Sequence, residues 1–227
     1  MRLQPAAFLF VAMLAYPTIG TAAVIAFSTF DTSAEGWEIG DLFASTGSTA
    51  PTFVAAGGNP GGFIRTTDLF PYTAYQAPAA FRGNQSAAYG GFVTLDMRVE
   101  SHDGSNYPML ALGNPGGTVL QFRTIPPGIG IFTSFNIPLI ASAGWEISPG
   151  GQSGAAGPPA SEAQLQAVLA DLLFFNVADD WQMGEDVGDL DNVFLNSSVI
   201  GVPEPASLAL LGLGLAGLGF SRRKPVA

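Results

Sequence analysis

The chain has 227 residues, no cysteine and a formal net charge of −10. No disulfide or thiol chemistry is open to it, and the excess of acidic over basic side chains repels phosphate backbones, which excludes nucleic acid as a partner. The same charge suits divalent cations, or serves solubility alone.

The N-terminus comes first. Arg2 is the lone positive charge ahead of an apolar stretch from Ala6 to Ala15. Gly20-Thr21-Ala22 and Thr21-Ala22-Ala23 then offer small residues to a signal peptidase. Residues 1–23 therefore read as a secretory leader, to be set aside from the fold. Residues 24–198 are long enough for one domain with its own core. Its only cations are Arg65, Arg82, Arg98 and Arg123.

Glycine, proline, serine, threonine and asparagine punctuate this domain about every ten residues, with short Val-, Ile-, Phe- and Thr-rich segments between. That spacing predicts an all-β antiparallel sandwich. The clearest strand is 91–100, where Val93, Leu95, Met97 and Val99 alternate with Thr94, Asp96, Arg98 and Glu100. Further strands are expected at 24–30, 37–41, 62–66, 109–112, 118–124, 132–139 and 192–196. The breaks at 57–62, 114–117 and 149–159 are loops. One short helix is expected after Ser161, which with Gln164 spells a capping box. Leu165, Val168, Leu169 and Leu172 follow at helical spacing. Phe174, Phe175 and Val177 read as a strand leaving it.

Catalytic signatures are sparse. His102 is the only histidine, in the loop Ser101-His102-Asp103-Gly104-Ser105, and no nucleophile elbow accompanies it. A zinc site lacks its ligands. Asp179, Asp180, Glu185, Asp186, Asp189 and Asp191 form the densest acidic group, but at irregular spacing broken by Gly184 and Gly188. A glycosidase needs two placed carboxyls. The domain therefore reads as non-catalytic, with calcium as the better use of these acids. Ordinary turn capping stays open as the other explanation. Sugar binding rests on aromatic faces beside polar groups. Trp37 and Trp145 compete with core packing for that role, and Trp37 is expected in the core. Trp181, in the acidic loop, and Tyr72, Tyr75 and Tyr107, in loop-like contexts, are the expected ligand-binding aromatics.

The C-terminus carries Val202-Pro203-Glu204-Pro205, an uncharged apolar block from Ala206 to Phe220, then Arg222, Arg223 and Lys224. At about 1.5 Å per residue the block spans roughly 22 Å, short of the roughly 30 Å hydrocarbon core. It crosses only where the bilayer thins or flanking residues snorkel, with the basic end on the cytoplasmic side. The three parts, in this order, resemble a PEP-CTERM sorting signal. The resemblance implies an exosortase as processing partner, export, and a bacterium that makes extracellular polysaccharide. Residues 199–205 would be the linker, 206–220 a short membrane helix and 221–227 a basic tail. Within the block, Gly212-Leu213-Gly214-Leu215-Ala216-Gly217 spells a dinucleotide-type motif, but the strand before it and the acid after it are missing.

A second resemblance spans the domain. Its landmarks are Phe30-Asp31-Thr32 with Glu35-Gly36-Trp37, the run 57–62, Ala77-Pro78 before Phe81, the run 86–91, the helix through Val168-Leu169, and Leu190-Asp191-Asn192-Val193. In that order they resemble the laminin B domain from about Phe30 to Leu195. The resemblance implies a jelly-roll, galactose-binding-like sandwich. Such modules often hold a structural calcium ion between first and last strands, where Asp31 and Asp191 stand, with Asp189 and Asn192 as added oxygens. Together these readings make an exported, non-catalytic surface or matrix protein that binds extracellular polysaccharide. A secreted polysaccharide hydrolase and a structural protein that binds other proteins remain the alternatives.

Overall fold

Each short segment has one apolar face to bury, and two antiparallel sheets laid face to face bury all of them at once. In the computed structural model, which describes residues 21–149 and 155–198, the strands are β1 (Val24–Ser28), β2 (Glu38–Asp41), β3 (Thr52–Val54), β4 (Phe63–Thr67), β5 (Thr73–Gln76), β6 (Phe92–Val99), β7 (Pro108–Gly113), β8 (Val119–Arg123), β9 (Gly128–Ile129), β10 (Thr133–Pro138), β11 (Glu146–Ile147), β12 (Phe174–Ala178) and β13 (Val187–Asn196). One α-helix, α1, spans Glu162–Ala170. The expected membrane segment, the sorting motif and residues 1–20 of the leader lie outside the described residues.

The first sheet runs β10-β6-β13-β4-β3, with β1 also on β13 and β9 beside β6; the second runs β11-β8-β7-β12-β5-β2. All pairings are antiparallel except β6 with β9. The alternation in β6 works as expected: Val93, Leu95, Met97 and Val99 are at most 2% exposed. Trp37 and Trp145 are buried in the core and satisfy their indoles there. Trp37 donates to the Ser28 hydroxyl at 2.9 Å and Trp145 to the Pro138 carbonyl at 2.8 Å. Trp37 lies edge-on to both Phe30 and Phe81.

The helix begins where its sequence says. Ser161 and Gln164 bond reciprocally in a capping box, and Leu165, Val168 and Leu169 turn inward. Strands β3, β5, β9 and β11 are not among the expected elements. Strand β5 is instructive: it lies between β12 and β2, so Thr73, Ala74, Tyr75 and Gln76 are all buried. A strand covered on both faces shows no alternation.

Strand β13 carries the irregularity that matters most. Its pairing with β6 shifts between Asp191 and Phe194, and Asn192 there has a φ of 50°. A bulge inserts one residue and reverses the in-out phase beyond it. Asp189 and Asp191 therefore share the outer face with Phe194, while Leu190, Val193 and Leu195 stay in the core.

Replacing Ser161 by Ala removes the cap from α1. The expected loss is about 1 kcal/mol of stability, read as a melting temperature lower by about 2–4 °C; an unchanged melting temperature would show that the cap does not hold the helix.

Candidate functional site

The register of the first sheet sets its outer face in three rows. In the first, Phe27 on β1 lies opposite Phe194 on β13, Phe194 opposite Thr94 on β6, and Thr94 opposite Asn136 on β10. Strands about 4.8 Å apart make this row roughly 14 Å long. The two phenyl rings stack, with centroids 5.9 Å apart and planes 13° from parallel. Phe27 is 60% exposed.

The second row is Asp191 opposite Asp96, and Asp96 opposite Ser134. Asp96 is an acceptor for three side chains: the Ser134 hydroxyl, Asn192 Nδ2 at 2.9 Å and Asn59 Nδ2 at 3.2 Å. Asp191 accepts the Asn59 amide N–H at 2.6 Å and the Asn192 amide N–H at 2.8 Å. It thereby ties the 57–62 loop to the bulge. A Cβ on Gly58 would fall 2.1 Å from the Gly62 carbonyl oxygen and 2.7 Å from Asp191 Oδ2, so this loop closes only with glycine there.

The third row is Arg65, Asp189 and Arg98. Arg65 grips Asp189 with two nitrogens at 2.6 and 2.9 Å, and Arg98 Nε reaches the same carboxylate at 2.6 Å. Arg98 is also held over the Phe63 and Phe132 rings, at 4.8 and 4.5 Å from their centroids. Phe194, Thr94 and Asn136 of the first row, Asp96 and Ser134 of the second, and Asn59 and Pro60 at the tip of the 57–62 loop line a trough of about 530 Å³. Phe27 extends the aromatic surface from Phe194 beyond it, and Asp191 is fully buried.

The expected site residues fare unevenly. Trp181 is fully buried, edge-on to Tyr107, and offers no surface to a ligand. Its backbone N–H is captured by Asp186 at 2.7 Å, which folds the acidic loop over the indole. Tyr75 is also buried, in β5, and its hydroxyl donates to the Gly188 carbonyl at 2.6 Å. Tyr72 and Tyr107 are half-buried and do meet, across a second cavity of about 360 Å³ with Asp68 and Asp180. Tyr107 donates to Asp103 at 2.8 Å. Of the calcium set, Asp31 approaches Gly61 of the same loop that Asp191 holds, but Asp189 is taken by the two arginines. Asn192 spends its side-chain amide on Asp96 and on the Asn59 carbonyl. Among the described residues, no three His, Asp or Glu side chains are grouped to hold a metal ion. Phe27, Phe194, Thr94 and Asn136 were missed because they come from four strands. Their only sequence signal is a phenylalanine on the polar phase of a strand.

The acids of the other loop are poorly solvated. Burial first, then Asp186, Asp68 and Asp103, push Asp180 up to about 7. Burial, then Asp68, pushes Asp186 to about 6 against the pull of the Trp181 N–H. Asp191 also rises to about 6, through burial and then Asp96 and Asp31, although its two amide partners oppose this. Asp179 is fully buried and raised well above the usual range, by burial and then by Asp186. A Cβ at Gly188 would lie 1.5 Å from its Oδ1, so this acid and this glycine require each other.

The fold and the polar outer face define a jelly-roll β-sandwich with a laterally open trough. Residues 74–209 match laminin B (Domain IV), more than half of the chain, and the chain belongs to that family. Residues 201–224 match the PEP-CTERM protein-sorting motif, the signal read by an exosortase, so the protein is one marked for export. Among solved structures, the L4b domain of human laminin alpha-2 is similar with a TM-score of 0.59 and 16% identity over 76% of this chain and 96% of that one. An exo-beta-agarase gives 0.49 at 13% identity over 76% of this chain and 24% of that one. The family 11 carbohydrate-binding module of a Clostridium thermocellum cellulase, Lic26A-Cel5E, gives 0.39 at 14% identity over 80% and 94%. At these identities the laminin likeness speaks for the fold alone, and the other two scores carry no argument. No curated protein matches the chain.

Carboxyls raised in the folded state bind protons more tightly there than in the unfolded chain, where they titrate near 4. Their stabilising effect is complete below that value and is lost as pH rises through about 6 and 7. The melting temperature is therefore expected to fall between pH 4 and pH 8, and Asp180→Asn with Asp186→Asn should flatten the decline. A rise with pH would contradict the assignment of these groups.

Proposed function

We propose that this is an exported, non-catalytic protein of the cell surface or extracellular matrix, sorted by an exosortase, that binds extracellular polysaccharide in the trough of the first sheet. The observation that carries the reading is the row Phe27–Phe194–Thr94–Asn136. The stacked phenyl pair, with Phe27 more than half exposed, offers apolar surface to the apolar face of a sugar ring, and polar side chains continue the row toward its hydroxyls. Core packing does not explain Phe27, which has more than half its surface in water. Residues 206–220 would hold the protein at the membrane until or unless the tail is cut.

Calcium belongs to this reading only at Asp31 and Asp191, the two acids that the 57–62 loop brings into electrostatic contact. An ion there would need further oxygens from backbone carbonyls or water. If it binds, calcium raises the melting temperature and Asp191→Asn removes the rise; equal melting in calcium and in EDTA discards the ion.

The hydrolase reading draws on one observation, the two raised carboxyls Asp180 and Asp186 beside neighbouring cavities. A carboxyl protonated near neutrality is what a general acid requires. Release of reducing ends from polysaccharide, abolished by Asp180→Asn, would replace the binding reading with this one.

The direct test is retention of the full-length protein on insoluble polysaccharides. Phe27→Ala is expected to weaken retention on the order of fivefold, the equivalent of about 1 kcal/mol, and to leave the melting temperature where it is. Retention that ignores Phe27 but fails in Tyr72→Ala or Tyr107→Ala would move the site to the other cavity.

A further inference from the structure

Resting on the glycan reading above, the charges of the trough point to the kind of sugar it takes. The strands of the first sheet contain two cations, Arg65 and Arg98, and three acids, Asp96, Asp189 and Asp191. Both arginines are spent on Asp189, and Arg65 also lies 3.7 Å from Glu100. Asp96 and Asp191 are left with neutral hydrogen-bond donors as their partners. Hydrogen bonds from amides and hydroxyls spread a carboxylate's charge but do not cancel it. Asp31, exposed and close to the same loop, adds to the field.

This carboxylate row runs beside the aromatic row, two residues away along each of β6 and β10, or roughly 7 Å. A sugar ring stacked on Phe27 and Phe194 would thus carry its substituents toward Asp96. An acidic sugar would meet a negative floor with no free cation on the sheet. An ammonium group would meet a carboxylate already fixed in place by Ser134, Asn59 and Asn192, with no ordering left to do.

We infer that the trough selects polysaccharides bearing free amino groups, such as partly or fully deacetylated hexosamine polymers, and rejects uronate polymers. The pairing is one of charge complementarity at a polar face, so it sharpens specificity and weakens as salt rises. Asp189 acts here as a positioning residue: by holding both arginines it keeps their charge away from the trough.

The experiment compares retention of the full-length protein, in EDTA, on chitosan beads, on their acetylated counterpart chitin, and on polygalacturonate-coated beads. Expected is a preference for chitosan over chitin on the order of tenfold, shrinking in high salt, with polygalacturonate not retained. Asp96→Asn should erase the preference. Because Asp96 also organises its neighbours, the exposed substitution Asn136→Lys serves as the second variant and should reduce the preference by adding a cation to the row. Equal retention on chitosan and chitin, lowered in both by Phe27→Ala, overturns the amine inference and leaves the glycan reading in place. Tighter retention on polygalacturonate, with or without added calcium, also overturns it. Retention on none of the beads, or retention untouched by Phe27→Ala, counts against the glycan reading itself.

Discussion

The bulge at Asn192 is the constraint on which the outer face depends. Strand β13 lies between β6 and β4 over its first half and between β6 and β1 over its second. Without an inserted residue, the side chains that face outward at Asp189 and Asp191 would be followed outward by Val193, and Phe194 would turn in. The insertion reverses this, at the cost of a left-handed backbone at Asn192, a conformation that asparagine tolerates better than most residues. The Asp191 carboxylate accepts the Asn192 N–H and so holds the bulge in place. One local irregularity thereby puts an aromatic pair, a carboxylate row and an arginine-locked aspartate on the same surface.

The two ends of the sandwich use acids differently. On the outer face of the first sheet each carboxylate has at least two donors, and the face is polar but ordered. In the loop between β12 and β13 the acids are packed among one another and against Trp181 and Tyr107, with few donors. Desolvation dominates there, which is why Asp179, Asp180 and Asp186 titrate upward. The first arrangement fixes its carboxylates in place through several donors each. The second stores a dependence of stability on pH.

Much of the fold was legible from the chain. Alternation in β6, the capping box at Ser161 and the Gly-rich breaks at 57–62 and 114–117 all report local preferences, and local preference agrees with the final structure at each. Strand β5 was hidden because a doubly covered strand has no polar phase. The aromatic site was misread for a related reason. Trp181 sits among acids, and acidic neighbours suggest exposure; but Asp186 bends the loop back so that the acids cover the indole. Tyr75 beside Pro71-Tyr72 suggests a turn, yet its hydroxyl reaches a carbonyl inside the sandwich. Asp189 and Asp191, adjacent on one face, read alike in sequence. Only the register, which sets Arg65 and Arg98 opposite the first and Asp96 opposite the second, separates an ion-paired residue from one held by neutral donors alone.

The account turns on Phe27 and Phe194 being a ligand platform and not incidental surface. Nuclear Overhauser contacts between the full-length protein and a soluble chitosan oligosaccharide test this most directly. The predicted result is contact between sugar ring protons and the ring protons of Phe27 and Phe194. Contacts confined to Tyr72 and Tyr107, with none to the two phenylalanines, would contradict it.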